Sequence, residues 1–517
     1  MLGSPASFVD PACPAARSGA GGNPPLRAEA NDRSSLLIRL LICVALYSVP
    51  AATVIRPVNE FDSWFHLRTG EWIIVHGTVP HTDPFSSYGA GRPWVAYSWF
   101  FEVLLYELYR AFGLGGLLVY RVVLALVLVA VLHRFVARRE PRFIVAAGLV
   151  AAALLGIAPF LSERPWLFTI VLCVWTLDVV LDLRRGPARR TVWLLPLGYV
   201  LWASVHIQFI YGLFLLGLGC AAPLLDRFLK VDGDKQHAAR FGTAEWKQLV
   251  ALTGACFIAT LINPYHDGVY RTVLEYARQS APYQLFGELR APDFRALSDW
   301  AVLGLTLAAA FALGRRARLS SFEVLLLAAS AYLSFRCRRD SWFVVLAALS
   351  ILATGPGRPA TDAERFVPTG RQRLIIAGGV LAVLLIICWC RNCSERHLQA
   401  EVATEFPAEA AAFIESQGLG GPLYNHHDWG SYLLWRLPQL LPVIDGRMNL
   451  HGDARIARFQ RTFQGLPGWE NDPDLMAARV IVVHAQAPLA ALLRRDSRFE
   501  PVHEDPVAVV FIPRESP

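Results

Sequence analysis

The chain has 517 residues, of which 54% are hydrophobic and only 18% charged, with a formal net charge of +7. Soluble proteins of this length carry about 25% charged residues. Here the mean hydropathy is +0.37, and the apolar excess is gathered in blocks, which is the pattern of a polytopic membrane protein. The basic residues lie in short clusters between those blocks, as topology signals do. That distribution argues against nucleic acid as a partner.

Residues 1–33 are rich in Gly, Pro, Ala and Ser and have little to bury. They read as a disordered cytoplasmic tail; a cleavable signal peptide would place its apolar run much earlier. A bilayer needs about 20 apolar residues per helix. Segments 36–55, 114–133, 143–161, 167–183, 192–206, 208–225, 247–263, 299–314, 320–335, 341–355 and 374–390 are the candidates. The stretch WVAYSWFFEVLLYELYRAFG (94–113) carries Glu102, Glu107 and Arg110, so it reads as a helix lying along the membrane surface.

Charge supports that choice. With the N-terminus inside and 94–113 left out of the count, HRFVARREPR (133–142), RRGPARR (184–190), 226–246, RRAR (315–318) and 356–373 all fall on the cytoplasmic side, as the positive-inside rule expects. The layout is then about 11 transmembrane helices with the C-terminus outside. Segments 56–98, 162–166, 264–298, 335–342 and the tail from 391 share the outer side, and loops held by a rigid scaffold are where function concentrates. The expected organisation is a tail (1–33), a transmembrane domain (34–390) with an external loop (56–113), and an extracytoplasmic α/β domain (391–517). Within the last, FPAEAAAFIESQG reads as helix, and GPLYN, LPVID, RVIVVH and VAVVFIP as short strands.

Six stretches carry the candidate chemistry. In EFDSWFHLRTGEWI (60–73), Glu60, Asp62, His66, Arg68 and Glu71 sit among aromatic residues. In a helix Asp62 and His66 share a face, while Trp64 and Trp72 suit an interfacial aromatic belt. Asp62 has the alternative role of capping the helix. SERPW (162–166) adds Glu163 and Arg164 between two spans. Two carboxylates from separate loops, Asp62 and Glu163, are suited to share a divalent cation such as Mg or Mn, or to act as acid and base. The bland alternative is a local Glu163–Arg164 surface pair.

FRCRRDSW (335–342) places Arg336, Arg338 and Arg339 at an outer membrane exit. Such a cluster fits a lipid phosphate or pyrophosphate, or ordinary anionic headgroups. HIQFIYG and NPYHDGVY bring His206, His266 and Asp267 to the same side, more in the manner of structural residues. In the tail, YNHHDWGSYLLWRLPQLLPVIDGRMNLHGD (424–453) is dense in His, Asp, Trp and Arg. Its His426-His427-Asp428 run lacks the spacing of a zinc site. Asp428, Arg436, Asp445 and Arg447 suit either an ion network docking the tail or a surface that reads an acceptor. Among the nine cysteines, Cys43, Cys173, Cys220 and Cys256 lie in apolar runs, and Cys390 and Cys393 are equally readable as a disulfide or as free thiols.

EFDSWFHLRTGEWI resembles the first external loop of the oligosaccharyltransferase catalytic subunit and, more broadly, of the GT-C superfamily of lipid-dependent glycosyltransferases. In that family an acidic motif follows the first transmembrane helix and surface helices precede the second. The resemblance implies roles for Asp62 and Glu60 in binding metal or activating the acceptor, with Glu163 at the place of the second acidic motif. HDWGSYLLWRLPQLLPVIDGRMNLHGDARIARF is similar in order to the region that reads an acceptor peptide, where the family has Trp-Trp-Asp-Tyr-Gly. This chain offers His427-Asp428-Trp429-Gly430-Ser431, and SERPW is not the usual double-acidic second motif.

The implied activity is transfer of a sugar from a polyprenyl-phosphate-linked donor to a glycan, lipid or protein acceptor, at the outer face of a bacterial inner membrane. The rival class is a non-catalytic transporter, flippase or scaffold. Transporters place ionisable residues near the midplane and carry internal repeats, whereas only Asp178 lies well inside a span and no repeat is evident. A hydrolase lacks its G-x-S-x-G or H-E-x-x-H signature.

Overall fold

The computed structural model describes residues 26–186, 190–228, 242–316, 319–354 and 360–514, with side chains from residue 34 onward. Of the tail expected over 1–33, residues 1–25 lie outside the described residues, and 26–33 open the first helix, α1 (Leu26–Thr53). Parts of the basic segments 184–190, 226–246, 315–318 and 356–373 also lie outside them.

All eleven apolar segments are helical. Among the described residues seven helices are long and apolar enough to cross a membrane: Ser34–Thr53, Leu114–Ala137, Phe143–Phe160, Trp166–Leu183, Phe209–Phe228, Leu297–Gly314 and Gly370–Cys390. The chain is therefore a multi-pass membrane protein. The other four segments form helices that are shorter or more polar: Leu195–Val205, Thr243–Thr260, Ser321–Arg336 and Ser341–Ala353. Eleven residues rise only about 17 Å, short of a hydrocarbon layer of about 30 Å.

After α1 the chain forms two helices that lie outside that set, α2 (Ser63–His76) and α3 (Trp99–Phe112). Their approach depends on Gly70, where a Cβ would come within 2.1 Å of the Glu102 carbonyl oxygen. α2 ends at Gly77 in the left-handed region (φ 65°), and the Gly77 N–H donates to the Ile73 carbonyl, a common helix stop. The segment 94–113 thus contains a helix of 14 residues, too short to span a bilayer.

The C-terminal part carries a four-stranded sheet: β1 (Leu423–Asn425), β2 (Val480–His484), β3 (Phe499–Glu504) and β4 (Ala508–Pro513) in the order β1-β2-β4-β3. β1 pairs parallel to β2, and β4 is antiparallel to both of its neighbours. LPVID, expected as a strand, makes only a single bridge, Leu423 to Pro442. Its backbone is held instead by the Asn425 side chain, which donates to the Ile444 carbonyl and accepts from Val443 N–H. β3 was not evident in the sequence because Pro501 and a bulge break its pattern, a combination tolerated at a sheet edge.

The tail does not stand apart from the bundle. Trp64, expected at the lipid interface, is buried, with its ring 5.5 Å from Phe406 and 5.1 Å from Tyr432 in edge-to-face contacts. One apolar cluster runs through these rings from the bundle to Leu433 and Val480. Trp72 stacks on His76. Cys390 and Cys393 are free thiols.

Candidate active site at the junction of bundle and tail

Segments far apart in sequence converge on one cavity of about 260 Å³. Phe61, Asp62, Phe65 and His66 come from the start of α2, and Trp94–Ser98 with Glu102 from the approach to α3. Arg164–Trp166, His206, Tyr276, Phe286–Leu289 and Arg339 complete the bundle wall, and His427, Asp428 and Gly446–Asn449 close it from the tail. The loops assigned to one side by charge alone therefore share this space with the tail.

Asp62 occupies the N-cap position of α2, but its side chain makes no capping hydrogen bond. Its carboxylate turns to Arg164, with Oδ2 2.8 Å from Nη2. The same Nη2 lies 2.7 Å from Glu60 Oε1. Nη1 reaches both Glu288 oxygens, at 3.1 and 3.3 Å. Burial lifts Asp62 to about 6, with Glu60 and Glu288 adding to the rise and Arg164 opposing it. The tail fixes the other side of this carboxylate: a Cβ on Gly446 would fall 2.1 Å from Asp62 Oδ1, so only glycine leaves Asp62 where it stands.

Arg339 lies over the Trp166 ring at 4.4 Å, a cation–π distance. It meets Glu288 at 3.9 Å, longer than a hydrogen bond. Neutralised less directly than Arg164, it is a guanidinium on the cavity wall suited to an incoming anion. The other two arginines expected beside it are used elsewhere. Arg336 covers Tyr283, and Arg338 pairs with Asp299 at 3.3 Å.

His66 is buried, with Nδ1 3.0 Å from Glu102 Oε1. Burial pushes His66 well below and Glu102 well above their ordinary ranges. His427 Nδ1 lies 3.0 Å from an Asp428 oxygen.

Several expected site residues are engaged by partners within the protein. Glu163 does not line the cavity. It is fully buried in a 2.7 Å ion pair with Arg121, and burial pushes its carboxyl up against the pull of Arg121. The alternative Glu163–Arg164 pair gives way to separate partners, Arg121 for Glu163 and the Glu60, Asp62 and Glu288 carboxylates for Arg164. Arg68 pairs with Glu71 one helical turn away. Trp429 is buried and donates its indole N–H to the Glu405 carbonyl. Arg447 reaches the cavity, yet its guanidinium is taken by Asp445 and Asp83, at 2.6 and 2.5 Å. Burial works against the Asp445 charge, but Arg447 and His451 outweigh it and hold that carboxyl far below its usual range. This pair ties the first external loop to the tail, and Asp428 takes no part in it. His266 and Asp267 lie on the surface.

The residues therefore do not fit a divalent cation shared by Asp62 and Glu163. Glu163 is committed to Arg121, and Asp62 to Arg164. A group that suits a metal in its spacing alone, Glu409, His503 and Asp505, has ligand atoms within 4.8 Å of one another but none on the cavity wall. Glu288, Tyr97, Tyr276, Trp166 and Gly446 were not singled out from sequence. Glu288 and Tyr276 fall in the segment 264–298, which reads from sequence as one external loop with no motif to mark them, although Tyr276 sits in the helix Gly268–Arg278; Gly446 shows its role only once Asp62 lies against it.

No family model matches the chain, and no curated protein matches it. Among solved structures, the oligosaccharyltransferase of Archaeoglobus fulgidus, tethered by a disulfide to an acceptor peptide with an NVT sequon, superposes with a TM-score of 0.52 at 13% identity. The match covers 89% of this chain and 69% of that one. The chain has a GT-C-like fold. ArnT from Cupriavidus metallidurans, bound to undecaprenyl phosphate, gives a TM-score of 0.47 at 15% identity over 92% of this chain and 97% of that one.

Proposed function

We propose that this protein is a GT-C-type glycosyltransferase that moves a sugar from a polyprenyl-phosphate-linked donor to an acceptor, at the outer face of a bacterial inner membrane. One observation carries the reading. A carboxylate lifted to about 6, Asp62, shares a cavity with a lightly neutralised guanidinium, Arg339. A base works best with a pKa near the operating pH, and a leaving phosphate needs a preorganised cation.

In this reading an acceptor O–H or N–H gives its proton to Asp62 as its lone pair attacks the anomeric carbon. The bond from that carbon to the phosphate oxygen breaks. Its electron pair leaves with the phosphate, which faces Arg339. No step runs through a metal. Asp428, half open to the same cavity from the tail, serves to orient the acceptor. The GT-C-like fold and the gathering of the outer loops at one cavity support this reading over a transporter.

Lipid mass spectrometry tests it in cells carrying wild type, a deletion, or Asp62→Asn. The expected result is accumulation of one polyprenyl-linked sugar in both the deletion and Asp62→Asn. A lipid change in the deletion alone would remove Asp62 from catalysis and favour transport or scaffolding.

A further inference from the structure

Three carboxylates, Glu60, Asp62 and Glu288, point at one place, and Arg164 fills it. Its Nη2 bridges Glu60 Oε1 and Asp62 Oδ2 at 2.7 and 2.8 Å, and its Nη1 reaches the two Glu288 oxygens at 3.1 and 3.3 Å. Oxygens converging from separate segments on one point are what a hard divalent cation requires. Here the converging point is a nitrogen. Arg164 cannot swing away freely, because its side chain is only 10% exposed and its backbone carbonyl accepts the Tyr120 hydroxyl. The guanidinium is permanently charged and carries five donors in a fixed fork, so it holds three like-charged groups together without any further ion.

We propose that Arg164 is the resident cation of this site: it positions Asp62, Glu60 and Glu288 as a bound divalent metal otherwise would, and the protein functions without a metal there. This rests on reading the cavity as a sugar-transfer site. Its consequence is a division of labour between two arginines stacked on one ring. Arg164 and Arg339 lie 5.7 and 4.4 Å from the Trp166 ring centre. Both Nη groups of Arg164 are engaged by carboxylates, and Arg339 is left for the anionic donor.

The test is Mn²⁺ binding to the full-length protein in detergent, read by electron paramagnetic resonance without any turnover, so it stands apart from the activity assay. Wild type should bind no Mn²⁺ that Asp62→Asn removes. Arg164→Ala should open the carboxylate set and bind Mn²⁺ at least about tenfold more tightly than wild type (~1.4 kcal/mol per tenfold), and adding Glu60→Gln should abolish the gain. Wild-type Mn²⁺ binding lost in Asp62→Asn overturns the proposal, as does a folded Arg164→Ala protein that gains no site. Should Arg164→Ala fail to fold, the wild-type and Asp62→Asn measurements decide alone.

Discussion

Two arginine–carboxylate networks lie within the same junction and behave differently. Arg447 is buried with Asp83 and Asp445, both of whose side chains are wholly inaccessible. Arg164 gathers Glu60, Asp62 and Glu288, and of these Glu288 is half-exposed. The first network balances its charge inside the protein and locks the external loop to the tail. The second holds a carboxylate at a cavity wall with its ionisation left within reach of neutral pH. The chemistry of the side chains is the same; burial and the count of partners separate a clamp from a site.

The largest effect should come from the clamp. Arg447→Ala leaves two buried carboxylates without a counter-ion, which costs about 3–5 kcal/mol. Thermal unfolding in detergent should show a fall in stability, whereas removing Arg339 should leave stability nearly unchanged. Gly446→Ala sharpens the boundary between the networks, because the residue belongs to the clamp's loop and touches the site's carboxylate. Overpacking of that kind costs about 1–3 kcal/mol. It should appear mainly in kcat/KM, since Asp62 must move away from its present partners.

The pH response should separate activity from stability. Asp62 stands at about 6, above an unfolded value of ~3.9, so the native state holds its proton more tightly. The stability this contributes is fully present below ~3.9 and is lost as pH rises through about 6. Activity runs the other way, because the base must be ionised, and should fall about tenfold per unit below 6. Rates and melting temperatures measured across pH 4–8, in about unit steps, should therefore move in opposite directions. The smallest effect belongs to the His66–Glu102 pair: Glu102→Gln preserves a hydrogen bond to His66 and should cost under about 1 kcal/mol. It should leave the pH profile in place.

Much of this arrangement was legible in the sequence, and the reasons are physical. Apolar blocks marked the spans, and basic clusters sorted the loops that later met at the cavity. Asp62 was singled out by its place after the first apolar run, Arg164 by its short loop between two spans, and Arg339 because a basic cluster at an outer exit runs against the positive-inside trend. Glu163 read as exposed because it lies in a short loop; only the fold shows Arg121, on the span Leu114–Ala137, turned to pair with it. Trp64 misled for a related reason: an amphipathic ring near a membrane suits the interface until Phe406 and Tyr432 arrive from the tail. Long-range pairing of that sort leaves no periodicity to read.

The most direct measurement of the central claim uses purified wild type and Asp62→Asn in liposomes that contain synthetic polyprenyl-phosphate-linked sugars. Donor consumption and transfer to hydroxyl- or amine-bearing acceptors are followed by mass spectrometry. The expected result is donor turnover by wild type and a loss of about 10²–10⁴-fold in Asp62→Asn with a melting temperature no lower than that of wild type. Equal turnover by the two proteins would contradict the account, because the cavity would then be doing its chemistry without the carboxylate it is built around.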